Sequence, residues 1–126
     1  MLTNAPVHPT LPVVDLERAK KFYEEKLGLK VIRTDPSPGA ILQAGEGTNI
    51  YLYQRAATKA DHTTASFIVT DVEATVKELK AKGVVFEEIE IPSMGIKTVD
   101  GIASKGELKA AWFKDTEGNI LVVSNM

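Results

Sequence analysis

The chain has 126 residues, 44% of them hydrophobic and 25% charged, an ordinary balance for a globular protein and a length suited to one domain with its own core. Its 15 basic and 17 acidic side chains leave a net charge of -2 and are scattered in mixed sign, without the basic stripe that a phosphate backbone demands, so no nucleic acid partner is expected. There are no cysteines, the opening MLTNAPVHPT is not leader-like, and no run reaches the length of a membrane span, which together suit a cytoplasmic protein with no disulfide, no thiolate chemistry and no membrane partner.

The first predicted strand carries Leu11, Val13 and Val14 and stops at Asp15. Leu16, Ala19, Phe22, Tyr23 and Leu27 then recur at helical spacing, so Asp15 reads as the N-cap of a helix that Gly28 ends. Three short strands are expected next: LKVIRT, AILQA and, after a GEG turn, NIYLYQ.

From Phe67 the plan repeats. Phe67, Ile68 and Val69 lead to Asp71, then Val72, Val76 and Leu79 make a helical stripe that Gly83 ends. Glu17 and Glu73 occupy matching first-turn positions, where the helix dipole favours a carboxylate. Strands are expected at VVFEEIEI, ELKAAWFK and NILVVSN, the last two joined by the turn DTEG, whose Asp, Glu and Gly read as turn chemistry. Residues 92–106, PSMGIKTVDGIASKG, look too irregular for a strand and read either as a lid over a cavity or as a long connection at a sheet edge. Each half therefore reads strand, helix, strand, strand, strand. One helix covers only one sheet face, so two halves together complete a structure that neither completes alone.

The segments LPVVDLERAKKFYEEKLGL and AAWFKDTEGNILVVS resemble those of the vicinal oxygen chelate superfamily, which groups glyoxalase I, bleomycin resistance proteins and extradiol dioxygenases. The resemblance spans nearly the whole chain. It implies an α+β fold, a single domain over 1–126 built from two βαβββ modules at about 5–56 and 63–126, whose curled mixed sheets enclose a cavity with the helices on the convex side. It also implies a homodimer.

The family's metal-dependent members take one ligand from the first and one from the last strand of each module, and the bound ion polarises vicinal oxygens of the substrate. Here those positions match His8, Tyr51, Ala65 (or Thr64 if the register slips by one) and Val122. Only His8 is a good ligand, so no metal and no cofactor is expected. Asp61, His62, Glu46 and Asp100 are the remaining candidates for a rearranged site.

Strand parity then fills the cavity. With His8 inward come Thr10, Asn49, Tyr51 and Tyr53; with Ala65 come Phe67 and Val69; with Val122 come Ile120 and Ser124. Trp112 and Phe113 fall on opposite faces, Trp112 leaning towards the core but able to stack on a flat ligand if it faces the cavity. The expected ligand-binding set is His8, Asn49, Tyr51, Tyr53, Phe67, Trp112, Val122 and Ser124. It suits metal-independent binding of a small organic molecule. The alternative is a glyoxalase-like lyase or dioxygenase-type enzyme using a rearranged divalent-metal site or His8 as general base.

Overall fold

The computed structural model describes all 126 residues, as two compact units, Met1–Thr58 and Lys59–Met126. In the first unit, β1 (Thr10–Val13) leads into α1 (Leu16–Glu25), followed by β2 (Lys30–Asp35), β3 (Gly39–Gln43) and β4 (Asn49–Gln54). The sheet order is β1-β4-β3-β2, with β1 parallel to β4 and the other pairs antiparallel.

Helix α1 starts where the sequence expects it. Asp15 is extended and its Oδ1 accepts from the Arg18 N–H at 3.1 Å, satisfying a donor that has no partner within the helix. A second such donor, Leu16 N–H, bonds to Gln54 Oε1 at 2.9 Å, which ties the helix entry to the end of β4. Gly28, at φ +75°, lets the chain reverse so that Leu29 N–H reaches Tyr23 O at 3.0 Å. Leu16, Ala19 and Tyr23 of the helix are buried, as are Leu11, Val13, Ala40, Leu42, Ile50 and Leu52 of the sheet. The cross-strand partners Leu11–Leu52, Ala40–Leu52 and Leu42–Ile50 put these strand residues on one face, the one α1 covers.

The second unit opens in the same way, with β5 (Thr63–Ile68) and α2 (Val72–Ala81) capped by Asp71, whose Oδ1 accepts from Ala74 N–H at 3.0 Å. It then departs from the expected plan. VVFEEIEI contributes an isolated bridge between Phe86 and Phe113 and a two-residue strand β6 (Glu90–Ile91). The segment 92–106, read as a lid or connection, instead holds β7 (Ile96–Val99) and β8 (Ile102–Lys105). The reason is the dipeptide between them: Asp100 and Gly101 both take positive φ (53° and 84°), the conformation that closes a two-residue hairpin with the twist of the flanking strands. Strands β9 (Leu108–Lys114) and β10 (Ile120–Ser124) complete a mixed sheet of order β5-β10-β9-β8-β7-β6, with β5 parallel to β10.

The turn between β9 and β10 is held by Asp115. Its Oδ1 accepts from the N–H groups of Glu117 (2.8 Å) and Asn119 (2.9 Å), and its Oδ2 from Asn119 Nδ2 (2.8 Å), with Asp115 and Asn119 both buried. Below the sheet, Phe113 and Phe86 meet edge to face at 5.4 Å, with Leu121, Val123 and Ala111 beside Phe113 in register. This is the helix side of the second unit. No helix is long and apolar enough to cross a membrane.

Candidate functional site

In the first unit the sheet face away from α1 carries Thr10 and Pro12 of β1, Asn49, Tyr51 and Tyr53 of β4, and Gly39 and Ile41 of β3, aligned by register. Tyr51 and Tyr53 stack at 6.4 Å with an interplanar angle of 12°. His8, exposed and two residues ahead of β1, sets its ring 6.4 Å from that of Tyr51. Four of the expected residues, His8, Asn49, Tyr51 and Tyr53, thus share one face of this unit.

The Tyr51 hydroxyl is fixed by groups the sequence reading did not single out. It donates to Asp35 Oδ2 at 2.9 Å and lies 3.3 Å from Ser37 Oγ. Ser37 N–H also bonds to Asp35 Oδ1 at 2.8 Å. These bonds favour the ionised carboxyl: the Ser37 side chain first, then its backbone N–H and the Tyr51 hydroxyl hold Asp35 below its ordinary value.

In the second unit the face away from α2 carries a cleft of about 310 Å³. Ala103, Ala110 and Val122, from the neighbouring strands β8, β9 and β10, form a floor of small side chains, and Trp112 forms a wall. The indole Nε1 donates to Thr63 Oγ1 at 3.1 Å, which fixes the ring against β5. Trp112, Val122 and Ser124 of the expected set line this cleft, and so does Ser66. Trp112 does not belong to the core; Phe113, fully buried, takes that place, because Val122 opposes Trp112 while Leu121 opposes Phe113.

Phe67 stands elsewhere. It pairs with Val123, and Ala65 with Leu121, both on the helix side, whereas Ser66 pairs with Val122 on the cleft side. The cause is a register shift between Ile120 and Leu121, where Ile120 opposes Thr63 but Leu121 opposes Ala65. Thr64 is the extra residue, its Oγ1 donating to Ile120 O at 3.0 Å. Thr63 and Ser66, three apart, therefore reach the same cleft. One signal pointed this way: His8 lies seven residues before Asp15, and seven before Asp71 is Thr64, which has the parity of Ser66.

The family's four ligand positions provide one imidazole, one phenol already bonded to a carboxylate, Ala65 or a Thr64 hydroxyl already donating to Ile120 O, and the hydrocarbon of Val122. This donor set does not fit a divalent ion held by His, Glu and Gln. Within the second unit nothing gathers the rearranged candidates Asp61, His62 and Asp100 around one point. Glu46 and Asp100 sit in tight turns at positive φ, His62 is exposed with Nδ1 3.3 Å from Thr63 O, and within neither unit do three His, Asp or Glu side chains meet.

The modules, their mixed sheets and the helix on one face of each define a glyoxalase-like fold. Residues 5–123 match the family model of the Glyoxalase/Bleomycin resistance protein/Dioxygenase superfamily, and the chain belongs to that family. Solved structures agree on the fold. UcmS2 superposes with a TM-score of 0.75 at 21% identity, over 98% of this chain and 100% of that one. A glyoxalase family protein from Enterococcus faecalis gives 0.70 at 20%, covering 98% and 99%. The fosfomycin resistance protein FosX from Listeria monocytogenes, solved with Mn(II) and 1S,2S-dihydroxypropylphosphonic acid, gives 0.67 at 18%, covering 97% and 90%.

Proposed function

We propose that the protein binds a small organic molecule without a divalent metal, and that the Trp112 cleft of the second unit is where the ligand lies. The observation that carries this is the cleft itself. At about 310 Å³ it has the size of a small-molecule site, an aromatic wall anchored by a hydrogen bond, a flat apolar floor, and a few hydroxyls (Thr63, Ser66, Ser124) to orient a ligand. The donor chemistry at the family's ligand positions supports the metal-free part of the reading. On this reading the chain works in the cytoplasm, which its lack of cysteines suits, and as a homodimer, which the family resemblance implies.

Trp112 is the only tryptophan, so its emission reports on the cleft directly. A fragment screen followed by tryptophan emission and amide NMR shifts is expected to yield binders whose shifts centre on Ala103, Ala110 and Ser124. Hits that map elsewhere, or none at all, would sink the proposal.

A second reading, enzymatic proton abstraction by His8, is favoured by the nearness of His8 to Tyr51. On this reading His8 is the general base, and the Tyr51 proton is directed at Asp35. Full turnover by His8→Ala on any substrate found would end this reading.

A further inference from the structure

The charged side chains around the Trp112 cleft are of one sign. Lys105 and Lys109 border it, and no Asp or Glu does. The two lysines differ in how they are committed. Lys109 ion-pairs with Glu73 in the first turn of α2, on the helix side of the sheet, so its charge is already answered. Lys105 is exposed, forms no ion pair, and lies opposite Leu108 on β9, whose parity is that of Ala110 and Trp112. It is thus the charged side chain that belongs to the cleft's own face.

The remaining walls restrict the ligand further. The indole N–H of Trp112 is spent on Thr63, so the ring presents carbon surface and not a donor. Ala103, Ala110 and Val122 have no polar side-chain atoms and project little, which leaves a flat apolar bed. A flat ring fills such a bed and stacks on an indole wall, and a negative group at its edge answers an uncompensated ammonium.

We infer that the Trp112 cleft takes a planar, apolar molecule bearing one anionic group, with the anionic group set against Lys105. This rests on the cleft being the ligand site, as proposed above, and adds the chemical class of what enters it. The pairing is near the surface, so its contribution is modest: about threefold to fivefold in affinity over the neutral analogue, from the energies of exposed ion pairs. Salt weakens it.

Three probes of one shape and different charge test this: naphthoate, naphthylmethanol and naphthylmethylammonium, titrated by calorimetry and amide NMR into the full chain. Naphthoate is expected to bind tightest and the ammonium weakest, with shifts centred on Ala110 and Ser124. Lys105→Gln is expected to bring naphthoate down to the level of naphthylmethanol while leaving the latter unchanged. The exposed side chain makes this variant safe for folding, and an unchanged thermal midpoint verifies it. Equal binding of all three probes, tightest binding of the ammonium, or insensitivity to Lys105→Gln overturns the anionic class while leaving the cleft as a ligand site. Failure of all three probes, as when a second copy of the chain covers the cleft, overturns the site and the class together.

Discussion

The Tyr51 hydroxyl donates to Asp35 Oδ2 at 2.9 Å, joining the middle of β4 to the end of β2 over the intervening strand β3. The bond passes over Gly39 of β3, where there is no side chain to obstruct it. This arrangement makes Tyr51 a fixed feature of its sheet face, and it can be tested from each of its members.

The pH dependence follows from the direction of the Asp35 shift. Its carboxyl is held below the ordinary value of 3.8, by the Ser37 side chain foremost, then the Ser37 N–H and the Tyr51 hydroxyl. A depressed folded-state pKa contributes stability that is fully present above the unfolded value and is lost as pH falls through the folded one. An NMR titration of the Asp35 carboxyl is expected to show a midpoint below 3.8, moved upwards in Tyr51→Phe. A midpoint at or above the ordinary value would show that the three bonds do not persist in solution.

Gly39→Ala is expected to destabilise the fold. The added Cβ would lie 2.3 Å from the Tyr51 hydroxyl, 2.8 Å from Cζ and 2.9 Å from Asp35 Oδ2, so the ring or the carboxylate must move. Overpacking of this kind costs about 1–3 kcal/mol. Urea denaturation of the single variants and of Gly39→Ala/Tyr51→Phe is expected to show less than additive losses, since the second change removes the nearest obstructing atom. Strict additivity would mean that the strain lies elsewhere.

Asp115→Ala is expected to be the costliest of the polar substitutions. It removes the carboxylate that accepts from the N–H groups of Glu117 and Asn119 and from Asn119 Nδ2, with Asn119 itself buried. Leaving buried donors unmet costs about 1–3 kcal/mol. The N-cap changes Asp15→Ala and Asp71→Ala, each at an exposed position, are expected to cost about 1 kcal/mol. Chemical denaturation of the three variants gives the ranking, and a milder effect at Asp115 than at Asp71 would contradict it.

Trp112 and Phe113 are neighbours with opposite environments, so their truncations are expected to diverge. Phe113→Ala opens a cavity next to Phe86 and Leu121 and is expected to cost about 3–5 kcal/mol, enough to unfold a marginal domain. Trp112→Ala is expected to cost less and to abolish ligand binding in the cleft. Comparable losses of stability from both would return Trp112 to a core role.

Metal dependence is tested by equilibrating the purified protein with Mn, Fe, Co, Ni and Zn in turn and measuring retained metal. No ion is expected in stoichiometric amount, and a chelator is expected to leave the thermal midpoint unmoved, since an ion bound only to the folded state would raise it. A stoichiometric ion lost in His8→Ala would reverse this and redirect the search to lyase and dioxygenase substrates.

Much of the fold was legible because its signals are local. Asp15 and Asp71 each precede a helical stripe, and Gly28 and Gly83 each end one, so the repeat of the module could be seen without any tertiary contact. Alternation along NIYLYQ likewise placed Asn49, Tyr51 and Tyr53 on one face, since β4 runs without a register shift. The hairpin of β7 and β8 was also written locally, in Asp100–Gly101 between the four-residue stretches IKTV and IASK, but it was obscured by the glycines around it.

What the chain by itself determined, then, was the module, its repetition and its caps: properties of short stretches whose backbone preferences and hydrophobic periods need no distant partner. Only the tertiary structure decided which side chains meet. The register shift opposite Ile120 sent Ser66 to the cleft and Phe67 to the helix side, because strand parity holds only as far as the pairing is unbroken. Alternation separated Trp112 from Phe113, and it was the facing residues of β10 that chose between them. The Asp35–Tyr51 bond, 16 residues apart along the chain, exists only once β3 has brought the two strands into one sheet.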